Sequence, residues 1–183
     1  MQARLIELLS GDPYIMEVLA AVRMCGPEKA FVAAGFVRNR VWDGFYGQRP
    51  GIPDADIDVV YFDRSNPDKD SERLFENRLE QCLPTGIWQV RNQARMHSFG
   101  GYPPFDGLEH ALTHWAETAT TVGARLRHDN TLEIIAPFGL DDLFDHILRV
   151  TPQMKKHDLV GFDKRLERKE WLTRWPNLKV IRS

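Results

Sequence analysis

The sequence has little cysteine and no long apolar run, and both absences narrow the class of protein. Cys25 and Cys82 are the only cysteines in 183 residues and lack the spacing of a metal site, so we expect free thiols in a reducing compartment. No stretch approaches the roughly 20 apolar residues of a membrane-spanning helix, and the N-terminus carries no signal-like apolar core. The sequence therefore predicts a cytoplasmic protein without a membrane partner.

An excess of charge is also missing. The net charge of −2 arises from 24 basic and 26 acidic residues, so no overall basic field attracts nucleic acid, and a nucleic-acid partner would depend on local patches. A hydrophobic share of 43% is ordinary for a globular protein. The length predicts a single domain over residues 1–183, with a core at about 12–150 and a C-terminal helical extension over 152–183.

Known catalytic motifs of several enzyme classes are absent. The chain has no Walker loop, no G-x-S-x-G sequence and no Cys/His nucleophile pair. What it does have is a glycine turn between an apolar strand and a helix. Phe31-Val32-Ala33 predicts the strand, Gly35 the turn, and the following residues the helix. The free N–H groups at the start of that helix suit a phosphate. Arg38, in the first turn, is positioned to donate hydrogen bonds from its guanidinium to the same phosphate.

A second apolar strand follows after about twenty residues and begins with Asp56-Ile57-Asp58. Side chains alternate along a strand, so Asp56 and Asp58 are expected on the same face. Two adjacent carboxylates repel each other and resist burial, and a divalent cation would remove both problems. Magnesium suits one or two carboxylates combined with substrate phosphates. The alternative interpretation is that the two aspartates cap a loop at the strand entrance.

The combination of apolar strand, G-x-x-R turn and D-x-D strand resembles the polymerase-beta-type nucleotidyltransferases. It is most similar to the head domain of CCA-adding enzymes and bacterial poly(A) polymerases, and to small bacterial predicted nucleotidyltransferases. In the head domain the turn reads G-G-x-x-R-D, whereas Ala34 and Asn39 occupy two of those positions here. The segments T-V-G-A at 121–124 and I-A-P-F-G-L-D-D-L at 135–143 extend the resemblance. The family's arginine pair would fall at 117–119, where no arginine is present.

The resemblance implies an α+β fold, with a mixed or antiparallel sheet of about five strands flanked by helices. It also implies a metal-dependent nucleotidyltransferase that moves an NMP from an NTP to an unknown acceptor hydroxyl. Asp56 and Asp58 would hold Mg²⁺ or Mn²⁺, and Gly35, Arg38, Asn39 and Asn92 would contact the nucleotide. The alternatives are a catalytically impaired nucleotide-binding or regulatory protein, or a toxin–antitoxin partner, on the same fold.

The third carboxylate of two-metal transfer has no obvious counterpart. The family carries it on the next strand, which here is Trp88-Gln89-Val90-Arg91-Asn92 and contains no acid. Asn92 or Gln89 would be a neutral ligand. Glu133, on a later predicted hairpin, is the substitute candidate for the third catalytic carboxylate. The alternative interpretation is that Glu133 is simply an exposed strand residue. Asp54 shares the parity of Asp56 and Asp58 and would join them if the strand started early.

Other features have both a functional and a structural interpretation. The polar run 92–97 would bind a triphosphate or ribose, or make ordinary loop hydrogen bonds. His110 and His114 form either a metal pair or an exposed pair on a predicted helix. The basic residues of the C-terminus predict a solvated helix face; they are Lys155, Lys156, Lys164, Arg165, Arg168 and Lys169. Helices are predicted over Asp141–Val150 and Asp163–Arg174, with Trp171 and Trp175 packed on the core.

Overall fold

The computed structural model describes residues 1–47 and 56–182. Its helices are α1 (Gln2–Ser10), α2 (Pro13–Cys25), α3 (Gly35–Phe45), α4 (Lys69–Cys82), α5 (Leu108–Leu112), α6 (Asp141–Phe144), α7 (Pro152–His157), α8 (Leu159–Lys169) and α9 (Trp171–Arg174). Its strands are β1 (Phe31–Ala33), β2 (Ile57–Tyr61), β3 (Trp88–Asn92), β4 (Gly123–Leu126), β5 (Leu132–Ile135), β6 (Ile147–Arg149) and β7 (Lys179–Ile181). Short 3₁₀ helices cover Gln93–Gly100 and Thr118–Thr120. None of the described helices has the length and apolar character needed to cross a membrane.

A five-stranded sheet in the order β3-β2-β1-β4-β5 forms the centre of the fold. β2 and β3 run parallel, and the other neighbours run antiparallel. β6 and β7 form a separate parallel pair. The predicted α+β class, with a mixed sheet of about five strands flanked by helices, is confirmed.

Alternation along β2 separates the core from the candidate site. Ile57, Val59 and Tyr61 are buried in the main core, which also includes side chains of α2 and α4. Asp58 points to the opposite face, because successive side chains of a strand alternate. The strand register then pairs Asp58 with Ala33 of β1 and with Gln89 of β3.

The strand–turn–helix unit of β1 and α3 forms as predicted, but the helix is longer than expected. The Gly- and Pro-rich sequence from Asp43 to Pro53 predicts a loop, yet α3 continues to Phe45. Asp43 stays in the helix because its carboxylate accepts hydrogen bonds from Arg174 and from the Trp175 indole, at 2.7 and 2.9 Å. Residues 48–53 of the predicted loop lie outside the described residues.

Two C-terminal predictions need correction. The helix expected over Asp141–Val150 ends at Phe144, and after His146, at φ 59°, the chain enters β6 and pairs with β7. A partner strand from a distant part of the sequence overrides the local helical pattern. The helix expected over Asp163–Arg174 is divided into α8 and α9 at Glu170, which has φ 50°.

The two C-terminal tryptophans behave as predicted. Trp171 and Trp175 are both buried in the main core. The ring of Trp175 contacts the ring of Trp42 on α3 edge-on, with centroids 5.0 Å apart. These contacts attach the C-terminal helices to α3, and α8 borders the candidate site.

Candidate active site

Asp56 and Asp58 line one cavity of about 390 Å³, which we call the carboxylate cavity. Its lining residues are Ala34, Asp56, Asp58, Gln89, Trp115, Ala116, Glu117, Thr120, Arg165 and Lys169. The two aspartates therefore open into the same space, in line with the parity of a D-x-D strand. Asp58 lies in β2 and Asp56 directly before it.

The environment of Asp58 disfavours its charged form. Burial, followed by the neighbouring Asp56, raises the pKa of Asp58 to about 6, although nearby cations including Arg165 partly oppose the shift. A divalent cation would relieve both the desolvation and the repulsion. Carboxylate oxygens are the ligands that Mg²⁺ and Mn²⁺ prefer, so the two aspartates fit such an ion.

Strand β3 contributes Gln89 to the cavity, but not Asn92. The Gln89 side chain donates a hydrogen bond from Nε2 to Oδ2 of Asp56. Asn92 is fully buried, and its Nδ2 donates to the carbonyls of Asp63 and Asn66 at 2.7 and 3.0 Å. Its Oδ1 accepts from the backbone N–H groups of Asp63 and Ala94. The assignment of Asn92 to nucleotide binding is therefore corrected: the side chain joins loops, and its polar atoms have partners.

The glycine turn places its special backbone at Ala34. Gly35 begins α3, and a Cβ atom there would meet Arg38 Nη2 at an ordinary 3.6 Å. Ala34 has φ 57° and ψ −130°, a combination that glycine adopts easily and other residues do not. Ala34 also lines the carboxylate cavity. Backbone strain thus lies at the wall of the candidate site, where the resembling family carries its first glycine.

Arg38 lies behind the cavity wall and is not among its lining residues. Its Nη1 donates to Thr120 Oγ1 at 2.7 Å, and its Nε and Nη2 donate to Asn39 Oδ1 at 3.2 and 2.8 Å. The guanidinium lies over the Trp171 ring, 4.5 Å from the centroid. Burial lowers the pKa of Arg38 to about 10, which leaves it charged at neutral pH. The guanidinium of Arg38 is thus held by Asn39 and Thr120, away from the cavity surface, and its contact with a phosphate stays a prediction.

Glu133 is not brought to the aspartates. It lies on edge strand β5, and three strand spacings, about 14 Å, separate β5 from β2. Its Oε2 accepts hydrogen bonds from Arg125 and Arg127, at 2.7 and 2.5 Å. It lines a larger cavity of about 1320 Å³, here called the edge cavity, which contains neither Asp56 nor Asp58. The proposed third carboxylate is therefore corrected, because Glu133 shares a sheet face with Asp58 but not a cavity.

The acid that does share the cavity is Glu117, which sequence reasoning missed. Glu117 is fully buried, and its Oε1 accepts from Arg165 Nε at 2.7 Å. Its Oε2 has no hydrogen-bond partner within the described residues. A buried carboxylate oxygen without a hydrogen-bond partner is costly to the fold, and the residue that carries it lines the carboxylate cavity. About sixty residues separate Glu117 from Asp56 and Asp58, and no local pattern connects them.

Two cations of α8 complete the carboxylate cavity. Arg165 and Lys169 were expected on a solvated helix face, but both line the cavity. They are four residues apart and therefore share one side of the helix. That spacing was visible in the sequence, whereas the position of α8 against β2 was not. The arrangement places positive charge near a pair of carboxylates, which suits a metal-bound polyphosphate.

No group of three acidic, histidine or cysteine side chains among residues 1–47 and 56–182 is close enough to hold a metal ion unaided. Asp54 lies outside the described residues. Within the described residues His110 and His114 belong to no group of three such side chains that could hold a metal; their rings contact each other and Phe105, with centroids 5.2, 5.5 and 4.6 Å apart. Burial, the largest influence, lowers the pKa of His114.

The polar run 92–97 is largely structural. It forms the start of a 3₁₀ helix, and Arg95 makes two hydrogen bonds to the buried Glu72 carboxylate at 2.8 and 2.6 Å. The His97 ring contacts the Ala94 carbonyl through Nδ1 at 2.9 Å. These contacts support the loop interpretation over a nucleotide-binding role.

Known proteins match the chain in both sequence and structure. The family described as Nucleotidyltransferase matches residues 20–180. An NMR structure described as revealing a CCA-adding enzyme head domain is 28% identical, covers 97% of this chain and 94% of its own, and has a TM-score of 0.85. No protein with a curated description matches the sequence.

More distant structures share the fold. A CCA-adding enzyme in complex with CTP is 17% identical, with a TM-score of 0.57 over 88% of this chain. One in complex with ATP is 18% identical, with a TM-score of 0.57 over 95% of this chain. The chain spans 39% and 41% of the lengths of these two enzymes. The five-stranded sheet with its flanking helices is therefore the head fold of the polymerase-beta-type nucleotidyltransferases.

Proposed function

Because the chain belongs to the nucleotidyltransferase family, we propose that it is a metal-dependent enzyme that transfers an NMP from an NTP to an acceptor hydroxyl. The observation that carries the proposal is the carboxylate cavity itself. It combines the unneutralised pair Asp56 and Asp58 with the cations Arg165 and Lys169. Structural relatives in complex with CTP and with ATP support an NTP as the substrate.

Each group of the cavity has a defined role in this proposal. Asp56 and Asp58 hold Mg²⁺ or Mn²⁺, which supplies charge neutralisation for the phosphates when bound. Arg165 and Lys169 bind the β- and γ-phosphates, which leave as pyrophosphate. Gln89 orients Asp56 through its amide hydrogen bond. Catalysis then arises from positioning and electrostatic stabilisation rather than from a covalent intermediate.

The expected cellular setting is consistent with free thiols. Cys25 and Cys82 are both unpaired by disulfide in the described structure. We therefore propose a reducing, cytoplasmic location for the enzyme.

A second candidate function is nucleotide binding without turnover. It is favoured by the side chains around the aspartates, which offer no unpaired third acid among the described residues. Strand β3 presents Gln89 and Arg91 on the same face as Asp58, and Glu117 is already paired with Arg165. An ion that activates the acceptor needs a further acid, so the arrangement suits a nucleotide-bound metal better than a second ion.

The experiment combines binding with turnover. Calorimetric titration with Mg²⁺ and each NTP should show binding by the wild type that is abolished when Asp56→Asn and Asp58→Asn are combined. Glu133→Gln is the matched control, because it removes an acid from the edge cavity and should bind as the wild type does. Circular dichroism checks that all three proteins fold.

Pyrophosphate release across a panel of acceptors distinguishes the two candidate functions. Release that depends on Asp58 supports the enzyme. Tight Mg–NTP binding without release from any acceptor supports the binding protein. If the double variant binds Mg–NTP as well as the wild type, the proposed site is wrong.

A further inference from the structure

A second cavity adjoins the carboxylate cavity at Asp58. It has a volume of about 420 Å³, and we call it the aromatic chamber. The residues that define it are Asp58, Phe99, Tyr102, Phe105, His114 and Trp115. Asp58 and Trp115 line both cavities, so a ligand in the chamber would lie beside the proposed metal-binding carboxylate. The volume is in the range of about 300–1,000 Å³ that single small molecules occupy.

The walls of the chamber are aromatic. The ring of Tyr102 contacts the ring of His114 edge-on, with centroids 4.5 Å apart, and the Phe105 ring contacts His114 at 4.6 Å. Phe105 is buried, whereas Phe99 is 74% exposed. Phe99 therefore presents apolar ring surface at the border of the chamber. Flat rings pack on such walls by stacking and edge contacts.

The charge of the chamber does not suit a phosphate. Arg91 is the sole lysine or arginine among the described residues that line it. Its Nη1 donates to Glu76 Oε1 at 2.7 Å and to the Val90 carbonyl at 2.6 Å, much as Arg165 donates to Glu117, so the two cavities differ in their number of cations rather than in the pairing of their arginines. The carboxylate cavity, by contrast, contains Arg165 and Lys169. The polyphosphate therefore belongs in the carboxylate cavity and an uncharged group in the chamber.

The geometry of phosphoryl chemistry assigns a role to each cavity. In an in-line displacement the attacking oxygen and the leaving oxygen lie on opposite sides of the phosphorus. If the leaving pyrophosphate is held by Arg165 and Lys169, the attack comes from the side away from these cations. The aromatic chamber adjoins the carboxylate cavity at Asp58, and neither Arg165 nor Lys169 lines it, so it is a space beside Asp58 that these cations do not border.

We infer that the aromatic chamber binds the acceptor, and that the acceptor is a small, uncharged molecule with a flat ring and a hydroxyl group. The inference rests on the proposed function. The hydroxyl oxygen bonds to the α-phosphorus while the bond from that phosphorus to the αβ-bridging oxygen breaks. Pyrophosphate leaves with that electron pair, and the hydroxyl proton is released to solvent. The nucleoside remains attached to the α-phosphorus and is transferred with it.

The test uses a matched pair of alcohols on the full chain. The probes are 4-methylphenol and 4-methylcyclohexanol, which differ in the ring, and the protein is loaded with Mn²⁺ and tripolyphosphate. Paramagnetic relaxation measured by NMR reports how closely each probe approaches the metal. We expect several-fold stronger relaxation of 4-methylphenol, reduced to the level of 4-methylcyclohexanol in Phe99→Ala. Met24→Ala, which truncates a 71% exposed side chain on α2, should behave as the wild type.

The outcomes separate the inference from the proposed function. Equal relaxation of the two alcohols, or an unchanged effect in Phe99→Ala, overturns the acceptor chamber. Replacing tripolyphosphate with ATP should leave 4-methylphenol bound; if ATP displaces it, the chamber holds the nucleobase and the inference is overturned. Mn²⁺–tripolyphosphate binding that is the same in the wild type and Asp58→Asn overturns the proposed function, and this inference with it.

Discussion

The carboxylate cavity and the edge cavity both contain acidic side chains, but their charges are balanced differently. Glu133 lines the edge cavity; burial acts to raise its pKa, but hydrogen bonds from Arg127 and Arg125 outweigh burial and lower it. In the carboxylate cavity, burial and Asp56 raise the pKa of Asp58. An acid with its partners in place stabilises the fold, whereas an acid that lacks them is available to a ligand.

The larger of the two cavities is not the proposed site. The edge cavity is the larger, at about 1320 Å³ against about 390 Å³. The smaller cavity has the paired aspartates, the partnerless oxygen of Glu117 and the strained backbone of Ala34. Perturbed pKa values and strained backbone are better indicators of a functional site than cavity volume is.

The largest effect we expect concerns the cations of the two regions. Arg165→Ala should weaken binding of Mg²⁺–tripolyphosphate by about 1.5–3 kcal/mol, the scale of a charge-assisted hydrogen bond. Arg127→Ala removes a cation that is bonded to Glu133 and does not line the carboxylate cavity, and it should leave the affinity unchanged. Titration calorimetry on both variants measures the difference.

A second variant separates a loss of affinity from a loss of folding. Arg165→Ala leaves the buried Glu117 without its partner, so it also lowers stability. Lys169 is exposed, and Lys169→Ala should fold normally with a smaller loss of affinity. If the wild type, Arg165→Ala and Lys169→Ala bind Mg²⁺–tripolyphosphate with equal affinity, the cations of the carboxylate cavity do not bind the polyphosphate.

Stability against pH should change in opposite directions at Asp58 and Glu133. The folded-state pKa of Asp58, about 6, lies above its ordinary value of 3.8. Between these pH values the folded protein retains a proton that the unfolded chain has released, so the contribution to stability is lost as pH rises. Asp58→Asn should therefore raise the free energy of unfolding at pH 7 by about 2 kcal/mol, allowing for partial exposure.

Glu133 is the matched control for this measurement. Its pKa is lowered, so its contribution is present at pH 7 and is lost as pH falls through the folded-state value. Glu133→Gln should therefore lower stability at pH 7. Urea unfolding at pH 4 to 7 in the presence of a chelator tests both variants. A decrease in stability for Asp58→Asn at pH 7 would show that nearby cations already stabilise the charged form of Asp58 in the metal-free protein.

The smallest effect concerns backbone strain. Ala34→Gly should raise stability by about 1 kcal/mol, because glycine adopts the backbone angles of this turn without a Cβ clash. For a chain of this length the melting temperature should rise by about 2–4 °C. Asn130→Gly is the control near the β4–β5 turn, at φ 63°, where asparagine is tolerated. A gain for Asn130→Gly that equals the gain for Ala34→Gly would show that no special strain lies at the cavity.

The amino-acid sequence by itself determined the strand–turn–helix unit and the pair of aspartates, whereas the five-stranded sheet was implied by the family resemblance. Alternation along residues 56–61 placed Asp56 and Asp58 on one face, and the turn after Ala33 led into a helix as expected. Both features depend on residues close in sequence, for which periodicity and turn chemistry are sufficient. The resemblance to the head domain rested on the same local motifs and on the segment near 135–143.

Only the tertiary structure decided which other residues join the aspartates. Glu117 and Arg165 reach the cavity from segments sixty and more residues away, and no periodic pattern encodes that distance. Asn92 and Glu133 looked suitable by type, but strand order and existing hydrogen bonds direct them elsewhere. The β6–β7 pair, likewise, replaces a locally predicted helix because strand pairing joins distant segments. Local sequence sets which face a side chain occupies, whereas packing between distant elements sets what that side chain meets.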